Sequence, residues 1–378
     1  LSPVQNQSRH HDPGSDGAFA VLLRDQDEPF SDQPAPCVRV ICPEDRRDQI
    51  EHPWRASVPE CGAARSIYDL ELLEDIKRKS EPVAGNRAAS LWDIGDGVAC
   101  LEFHTKMNAL DADVLGAIKT SIRTVKKQFK AMVIYNEGSN FSAGANLGLA
   151  LFAANIAAWP EIENLVETGQ ETYKALKYSP FPVVGAPSGL ALGGGCEVLL
   201  HCDAVQAHGE TYIGLVELGV GLIPAGGGTR EMACRAAEAV PAGYPVDSFG
   251  FLMRYFENIA MARTSGSAAE ARQLGYLTAG DGISMNRDRV IADARSRVLA
   301  MASQGYCPPR PRKSVKVAGE AGIAELKILL SQYSGGGFIS EYDEFLAGRM
   351  AHVLCGGNID AENPVSEQYL LDLECEVF

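Results

Sequence analysis

The run GLALGGGCEVLLHCDA, residues 189–204, is the feature that most constrains the fold of this chain. Three consecutive glycines stand directly before an apolar stretch that contains one carboxylate, Glu197. Glycine inside a regular element lowers stability, and a buried carboxylate costs far more unless it is bonded or used. The combination predicts a tight turn into a helix, with a functional acid in the first turn of that helix.

Segments with strand-like and helix-like patterns alternate around this run. The turn GDG at 95–97 separates two strand-like segments, which predicts a hairpin over 89–103. The other predicted segments are a helix at 108–127, a buried strand at 130–138, a long helical stretch from about 147 to 178 and a buried strand at 181–189. This order predicts an α/β fold, followed by a largely helical region from about residue 247.

The two ends of the chain differ from its central part. The first 66 residues contain eight prolines and show no periodicity, so we expect an irregular leader with one short amphipathic helix at 66–80. Residues 307–317 have the composition of a linker, and 320–372 predict two or three helices. We therefore predict a leader at 1–85, a central domain at 86–305 and a helical C-terminal extension at 306–378.

Composition excludes several classes of protein. The formal net charge of −15 argues against a nucleic-acid-binding surface. The ten cysteines form no CxxC pair and no zinc-like cluster, so we expect reduced thiols and no metal. No apolar run is long enough to span a bilayer, and the N-terminus lacks a signal pattern. We expect a cytoplasmic protein with no membrane or nucleic-acid partner.

The glycine runs do not match nucleotide-binding fingerprints. GVGLIP at 219–224 ends in proline, and no G-K-[ST] occurs, so we expect neither NAD nor ATP. Glycine before a helix also allows a ligand oxygen to reach unpaired backbone N–H groups. Gly193–Gly195 and FSAGANL at 141–147 both have this pattern, and donors from two such turns would form an oxyanion hole. Both turns are equally compatible with tight helix–strand packing alone.

Two carboxylates favour the functional interpretation of these turns. Glu197 and Glu217 each lie in an apolar stretch next to a glycine-rich turn. That placement is typical of an acid/base pair acting beside a polarised carbonyl. The remaining candidates are interpreted as packing residues, namely His104, His201, His208, Cys196 and Cys202.

Three segments resemble, in order, the motifs of the crotonase superfamily, the enoyl-CoA hydratases and isomerases: FSAGANL, APSGLALGGGCEVLLHCDAV and VELGVGLIPAGGGTRE. The resemblance covers roughly residues 89–305. The segment SLWDIGDGVACLEFHTKMNALD and the tail VSEQYLLDLE are most similar to the crotonase half of fused 3-hydroxyacyl-CoA dehydrogenase/enoyl-CoA hydratase proteins. The resemblance implies an α/β fold, a crotonase-like ββα superhelix with a helical C-terminal region.

The resemblance also implies roles for individual residues. Glu197 and Glu217 would be the catalytic carboxylates, and the amides of Ala145 and Gly194 would hold the thioester oxygen. The remaining substrate-binding positions would be Lys106, Ala109, Ala143, Asn146, Leu147 and Gly193, with Asn146 standing where the family commonly has aspartate. We interpret Lys106 as a partner of the CoA phosphates. The residues Arg310, Arg312, Lys313 and Lys316 are either further phosphate partners or a solvated linker.

The implied function is hydration of a trans-2-enoyl-CoA to a 3-hydroxyacyl-CoA in fatty-acid β-oxidation. The alternatives are 3,2-enoyl-CoA isomerisation, which needs one acid only, and a truncated, non-catalytic CoA-binding protein. An acyl-CoA thioester is the expected partner, and no separate cofactor is expected because CoA is part of the substrate. A homo-oligomer and a dehydrogenase partner outside this chain are both compatible with the sequence.

Overall fold

Two β-sheets organise residues 72–241 and 248–378, which are the residues described by the computed structural model of this protein. Predictions that concern residues 1–71 lie outside the described residues. The strands are β1 (Ala84–Gly85), β2 (Ala89–Asp93), β3 (Val98–Phe103), β4 (Ala131–Ile134), β5 (Val183–Gly185), β6 (Gly189–Leu192), β7 (Ala204–His208), β8 (Thr211–Gly214) and β9 (Gly282–Ser284). In the described ranges the larger sheet has the order β1-β2-β3-β4-β5-β7-β9, and β6 pairs with β8 in the smaller sheet.

The helices lie around these two sheets. They are α1 (Leu73–Lys79), α2 (Ala112–Gln128), α3 (Leu147–Asn155), α4 (Trp159–Lys177), α5 (Gly194–Leu200), α6 (Gly228–Glu238), α7 (Phe249–Ala260), α8 (Ala268–Leu274), α9 (Val290–Ser303), α10 (Gly319–Gly335), α11 (Glu341–Leu354) and α12 (Glu367–Val377). The predicted hairpin is confirmed, since β2 and β3 pair antiparallel across the turn at 95–97. The tail, for which two or three helices are predicted, contains three, α10, α11 and α12.

A repeated ββα unit generates the central part of the fold. Each unit places one strand in the larger sheet, a second extended segment in the smaller sheet, and then a helix. The second unit is β5, β6 and α5, and the third is β7, β8 and α6. In the first unit, β4 is followed by Ser142, which pairs with Ala191 of β6 in an isolated parallel bridge. This is the predicted crotonase-like superhelix, and it brings the ends of successive units to one edge of the smaller sheet.

The regions on either side of the superhelix pack into its core. Leu73 and Ile76 of α1 are buried in one apolar cluster with Trp92 and Val298, so packed structure begins before residue 86. Leu326, Met350 and Leu370, from the three C-terminal helices, are fully buried and belong to the same cluster as the superhelix core. The C-terminal helices therefore share a core with the central part. The predicted division into three segments stays a prediction.

The long helical stretch predicted from about 147 to 178 is confirmed as helical, with one interruption. The segment forms two helices, α3 and α4, because Ala157 adopts a left-handed backbone conformation with φ 57°. Pro160 then occupies the first turn of α4, where a missing N–H is tolerated. The break separates α3 from α4, and side chains of both helices line one mostly apolar cavity.

No helix within 72–241 and 248–378 is both long and apolar enough to cross a membrane.

Candidate active site

One cavity of about 130 Å³ collects backbone amides and carboxylates from distant parts of the chain. Ala145, Gly194, Glu197 and Glu217 all line it. These are the four residues that the sequence predicts as the oxyanion hole and the acid/base pair. The structure therefore brings them together in space, and their catalytic roles stay a prediction.

The two amides meet because they occupy equivalent places in successive ββα units. Ala145 follows the bridge residue Ser142, and Gly194 follows β6, with which that residue pairs. A Cβ atom on Gly194 would lie 3.6 Å from the backbone nitrogen of Ala145. Among the described residues, neither amide has a hydrogen-bond acceptor, and that of Gly194 is the first of α5. Both N–H groups are available to one ligand oxygen.

Two glycines next to these amides are required by geometry. Gly144 has φ 92° and Gly193 has φ 51°, both in the left-handed region that favours glycine. A Cβ on Gly144 would also lie 2.9 Å from the carbonyl oxygen of Leu192. A Cβ on Gly193 would lie 2.9 Å from Oε1 of Glu217. The glycine runs thus allow the backbone to approach both the other turn and a carboxylate.

Glu197 is buried and is held by the turn that begins α6. Its Oε1 accepts hydrogen bonds from the amides of Gly226 at 2.8 Å and Gly228 at 2.9 Å. Burial raises the pKa of Glu197 to about 7, although these two amides and the charge of Arg230 lower it. The carboxyl group therefore takes up and releases a proton near neutral pH.

Glu217 begins a short 3-10 helix after β8, next to Gly193. Its Oε2 is buried and has no hydrogen-bond partner among the described residues. Burial, followed by the charge of Glu197, raises the pKa of Glu217 well above its usual range. Because two neighbouring carboxylates resist simultaneous ionisation, the pair retains a proton to higher pH than an isolated carboxyl group would.

His201 and Arg230 lie behind Glu197. Nδ1 of His201 is 2.6 Å from the carbonyl oxygen of Glu197, and Nη2 of Arg230 is 2.6 Å from Nε2 of His201. Burial and the charge of Arg230 lower the pKa of His201 well below its usual range. A neutral ring with its proton on Nδ1 satisfies both contacts, because the guanidinium donates to Nε2. His201 is thus a buried packing residue, as its sequence interpretation states.

The other predicted substrate-binding residues divide into two groups. Asn146 and Leu147 line the cavity, and the amide of Asn146 donates to the carbonyl of Leu110 at 3.0 Å. Its side chain forms no cap on α3. The lining of this cavity does not include Lys106, Ala109, Ala143 or Gly193. Lys106 is exposed at the start of a short 3-10 helix.

Arg312 is not available as a phosphate partner. Its guanidinium pairs with Glu238, with Glu231 at 3.3 Å and with Glu367 at 3.7 Å. For Arg312 both interpretations from the sequence are therefore wrong, because its side chain is neither free to bind phosphate nor part of a solvated linker. Arg310, Lys313 and Lys316 are exposed and remain candidates.

A second, larger cavity of about 650 Å³ adjoins the first. The residues common to both linings are Leu147, Ala150, Ile162, Val166, Leu222 and Phe378. Ala154 and Trp159 continue the wall of the larger cavity along α3 and α4. Its side chains are mostly apolar, and it occupies the space opened by the break between these helices.

Several residues at the site were not predicted from the sequence. Tyr173 of α4 lines the cavity, and its buried hydroxyl has a pKa raised well above the usual range by burial and by Glu197 and Glu217. The amides of Gly226 and Gly228 hold Glu197. The third glycine run, PAGGGTR, was the available signal for this turn, because it repeats the pattern that precedes α5.

Comparisons with known proteins agree with this geometry. The family model of enoyl-CoA hydratase/isomerase matches residues 93–240. A Bacillus subtilis protein called probable 3-hydroxyacyl-CoA dehydrogenase is 40% identical over 306 residues, which are 81% of this chain and 38% of that protein. The crotonyl-CoA hydratase of Syntrophomonas wolfei is 33% identical over 129 residues, 33% of this chain and 48% of that protein. The chain thus spans less than half the length of either relative.

Among solved structures, the enoyl-CoA hydratase from Bacillus anthracis superposes with a TM-score of 0.48 and 21% sequence identity. The superposition covers 71% of this chain and 90% of that one. The ββα superhelix defines a crotonase-fold protein. Residues 93–240 are therefore, by sequence, an enoyl-CoA hydratase/isomerase domain of the crotonase superfamily.

Proposed function

We propose that this protein hydrates trans-2-enoyl-CoA thioesters to 3-hydroxyacyl-CoA. The observation that carries the proposal is the convergence on one cavity of two amides without acceptors and two carboxyl groups, the buried Glu197 and the half-buried Glu217. An oxyanion hole alone would serve any acyl-CoA chemistry. A second acid with a distinct protonation state is what addition of water requires, because one group takes a proton while another gives one.

In the proposed reaction, the thioester oxygen accepts hydrogen bonds from the amides of Ala145 and Gly194. Glu197, as the carboxylate, takes a proton from water while the water oxygen bonds to the β-carbon. The electron pair of the double bond moves toward the thioester oxygen, whose negative charge the two amides stabilise by roughly 3–4 kcal/mol each. The protonated Glu217 then donates its proton to the α-carbon. After the reaction Glu197 is protonated and Glu217 is ionised. Loss of a proton from Glu197 to solvent and uptake of one by Glu217 restore the starting enzyme, so atoms and charge balance.

The assignment of base and acid follows from the surroundings of each carboxyl group. Glu197 accepts two amide hydrogen bonds, which favour its ionised form. Glu217 has a buried oxygen without a donor among the described residues, which favours its neutral form. Pairs of acids whose pKa values are pushed apart in this way divide the roles of base and acid between them.

Two assays test this proposal and its nearest alternative. Loss of the crotonyl-CoA absorbance on addition of enzyme supports hydration, and conversion of a 3-enoyl-CoA to its 2-enoyl isomer supports isomerisation. Isomerisation moves one proton and adds no water, so it requires one carboxyl group only. A protein active in the second assay alone is an isomerase, and a protein inactive in both is not the proposed enzyme.

CoA thioesters are expected to stabilise the protein, whereas NAD is not. A ligand that binds only the native state at one hundred times its dissociation constant raises the unfolding free energy by about 2.7 kcal/mol. Thermal unfolding with acetoacetyl-CoA and with NAD, each in large excess, measures this difference. We propose that no separate cofactor is needed, and a shift with NAD alone would contradict both this and the site assignment.

We further propose that the larger cavity of about 650 Å³ accommodates the acyl tail. It adjoins the catalytic cavity, and both linings include Leu147 and Leu222. Each buried methylene contributes about 0.8 kcal/mol. The proposed preference is therefore for medium and long chains over crotonyl-CoA.

Substitution of Ala154 by phenylalanine is expected to reduce the activity on long chains selectively. Ala154 lines the larger cavity and is absent from the lining of the catalytic one. Displacing two methylenes of the tail lowers kcat/KM for dodecenoyl-CoA about 15-fold, at about 0.8 kcal/mol each. Crotonyl-CoA is the internal control and should change by less than about twofold. An equal loss on both substrates would show that the cavity does not hold the tail.

A further inference from the structure

Helix α12 carries a carboxylate into the interior of the protein. Glu374 is fully buried, at 0% exposure. Its Oε1 accepts from the amide of Gly227 at 2.6 Å, and its Oε2 accepts from the amide of Arg230 at 3.0 Å. Both donors belong to the turn and first residues of α6. A buried carboxylate is costly even when bonded, and nothing in the proposed chemistry described above uses this one.

The turn that Glu374 binds is the turn that holds Glu197. The amides of Gly226 and Gly228 donate to Glu197, whereas the amide between them, that of Gly227, donates to Glu374. Consecutive amides therefore alternate between the two carboxylates. The turn is fixed from both sides, so a displacement of one carboxylate changes the position of the donors to the other.

A second contact ties α12 to the same turn. Nε2 of Gln170, on α4, donates to the carbonyl of Ala225 at 3.0 Å and to the carbonyl of Leu371 at 3.2 Å. Leu371 precedes Glu374 by three residues on α12. The helix is thus held against the turn at two points, one through an amide side chain and one through the carboxylate.

The two acids also interact through their charges. Burial, followed by the charge of Glu197, raises the pKa of Glu374 to about 8, while the charge of Arg230 and its two amides lower it. Glu374 in turn contributes to the raised pKa values of Glu217 and of the Cys375 thiol. These groups come from α5, α6, α12 and the 3-10 helix after β8.

We propose that Glu374 is a positioning residue for Glu197: from α12 it holds the turn 225–228 so that the amides of Gly226 and Gly228 fix the catalytic carboxylate. The inference rests on the proposed function, because it assigns Glu197 the role of base. Glu374 does not touch the substrate, and its effect on turnover passes through Glu197. Helix α12 thereby helps to hold Glu197 in place, although it does not contact the substrate.

The test compares three glutamate or aspartate positions on α12. E374Q removes the proposed function, since an amide side chain can accept from only one of the two amides. E367Q removes a second buried carboxylate on the same helix, which contacts the ion pairs around Arg312. D372N changes an exposed side chain that contacts Gln368. Should E374Q not fold, E374D retains the charge but withdraws it by one methylene, and takes its place.

E374Q is expected to lower kcat for crotonyl-CoA about 10- to 100-fold with KM changed less than about threefold. The acid limb of kcat/KM, where protonation of Glu197 inactivates the enzyme as pH falls, should move to higher pH, because the displaced amides of Gly226 and Gly228 no longer favour the ionised carboxylate. E367Q lowers stability without moving this limb, and D372N changes neither. An E374Q enzyme with the kinetics of D372N, or one that merely loses activity in proportion to stability as E367Q does, overturns the proposal.

Hydrogen exchange provides a measurement that does not depend on turnover. In E374Q the amides of Gly226 and Gly228, which Glu374 does not bind, should exchange faster by about tenfold or more. They should exchange as in the wild type in D372N. Unchanged exchange at these two amides overturns the inference even if the hydratase is active. Faster exchange in a protein inactive on crotonyl-CoA supports the positioning of Glu197 and refutes only the proposed reaction.

Discussion

Replacement of either Glu197 or Glu217 by glutamine is expected to lower kcat for crotonyl-CoA hydration by about 10²–10⁴. Glutamine retains the shape of the side chain and part of its hydrogen bonding, but it can neither take nor give the proton. KM should change little, because the thioester oxygen is held by the amides of Ala145 and Gly194. Steady-state kinetics of the two single variants measures both effects. E171Q, at an exposed position on α4, is the matched control and should keep wild-type activity.

The double variant distinguishes a concerted pair from two independent groups. If both carboxyl groups position and activate one water, the losses in the double variant are far from additive. Independent contributions would multiply instead. Loss of turnover in E217Q alone would identify an isomerase-type site. Full activity in both single variants would place the chemistry elsewhere and contradict the proposed function.

The local parts of this site could be predicted from the sequence because their signals are local. Glycine before an apolar helix predicted the turn at Gly194, and an acid inside that apolar run predicted Glu197. The local patterns do not predict that these groups lie together. They do so because the ββα unit is repeated. Pairing between Ser142 and Ala191 depends on residues 49 positions apart, and periodicity within a short window does not report it.

The contacts of Glu374 are a second example of long-range contacts that local sequence patterns do not predict. Its hydrogen bond to Gly227 joins residues separated by 147 positions, so no local pattern connects them. Glu197 was predicted because it is an acid within an apolar stretch. The same criterion applies to the tail, where Glu367 and Glu374 share the buried face of α12 with Leu370. An acid on the apolar face of a predicted helix was a usable signal there. The break at Ala157 had a signal too, since proline follows three residues later.

Replacement of Gly226 by alanine is the second substitution with a large expected effect. The backbone of Gly226 is not in the left-handed region, so alanine introduces no backbone strain. Its Cβ, however, would lie 2.4 Å from Oε2 of Glu197 and 2.7 Å from Cε2 of Tyr173. Tyr173 is buried and packs against the ring of His201, with 5.5 Å between the ring centroids. The tyrosine has little room to move, so the carboxylate is the group that shifts.

The G226A variant should therefore lose about 10²-fold in kcat, close to the loss on removing the carboxylate, although no ionisable group is changed. Overpacking should also lower the unfolding free energy by about 1–3 kcal/mol.

G116A is the control. The added Cβ meets nothing within 4 Å on the exposed side of α2, and the unfolding free energy should rise by about 0.5–1 kcal/mol. In the E197Q background, G226A should cause little further loss of kcat, because the same carboxylate is already disabled. Wild-type turnover in G226A, measured on folded protein, would mean that the position of Glu197 does not limit the reaction, and it would remove the basis for a positioning role of Glu374 as well.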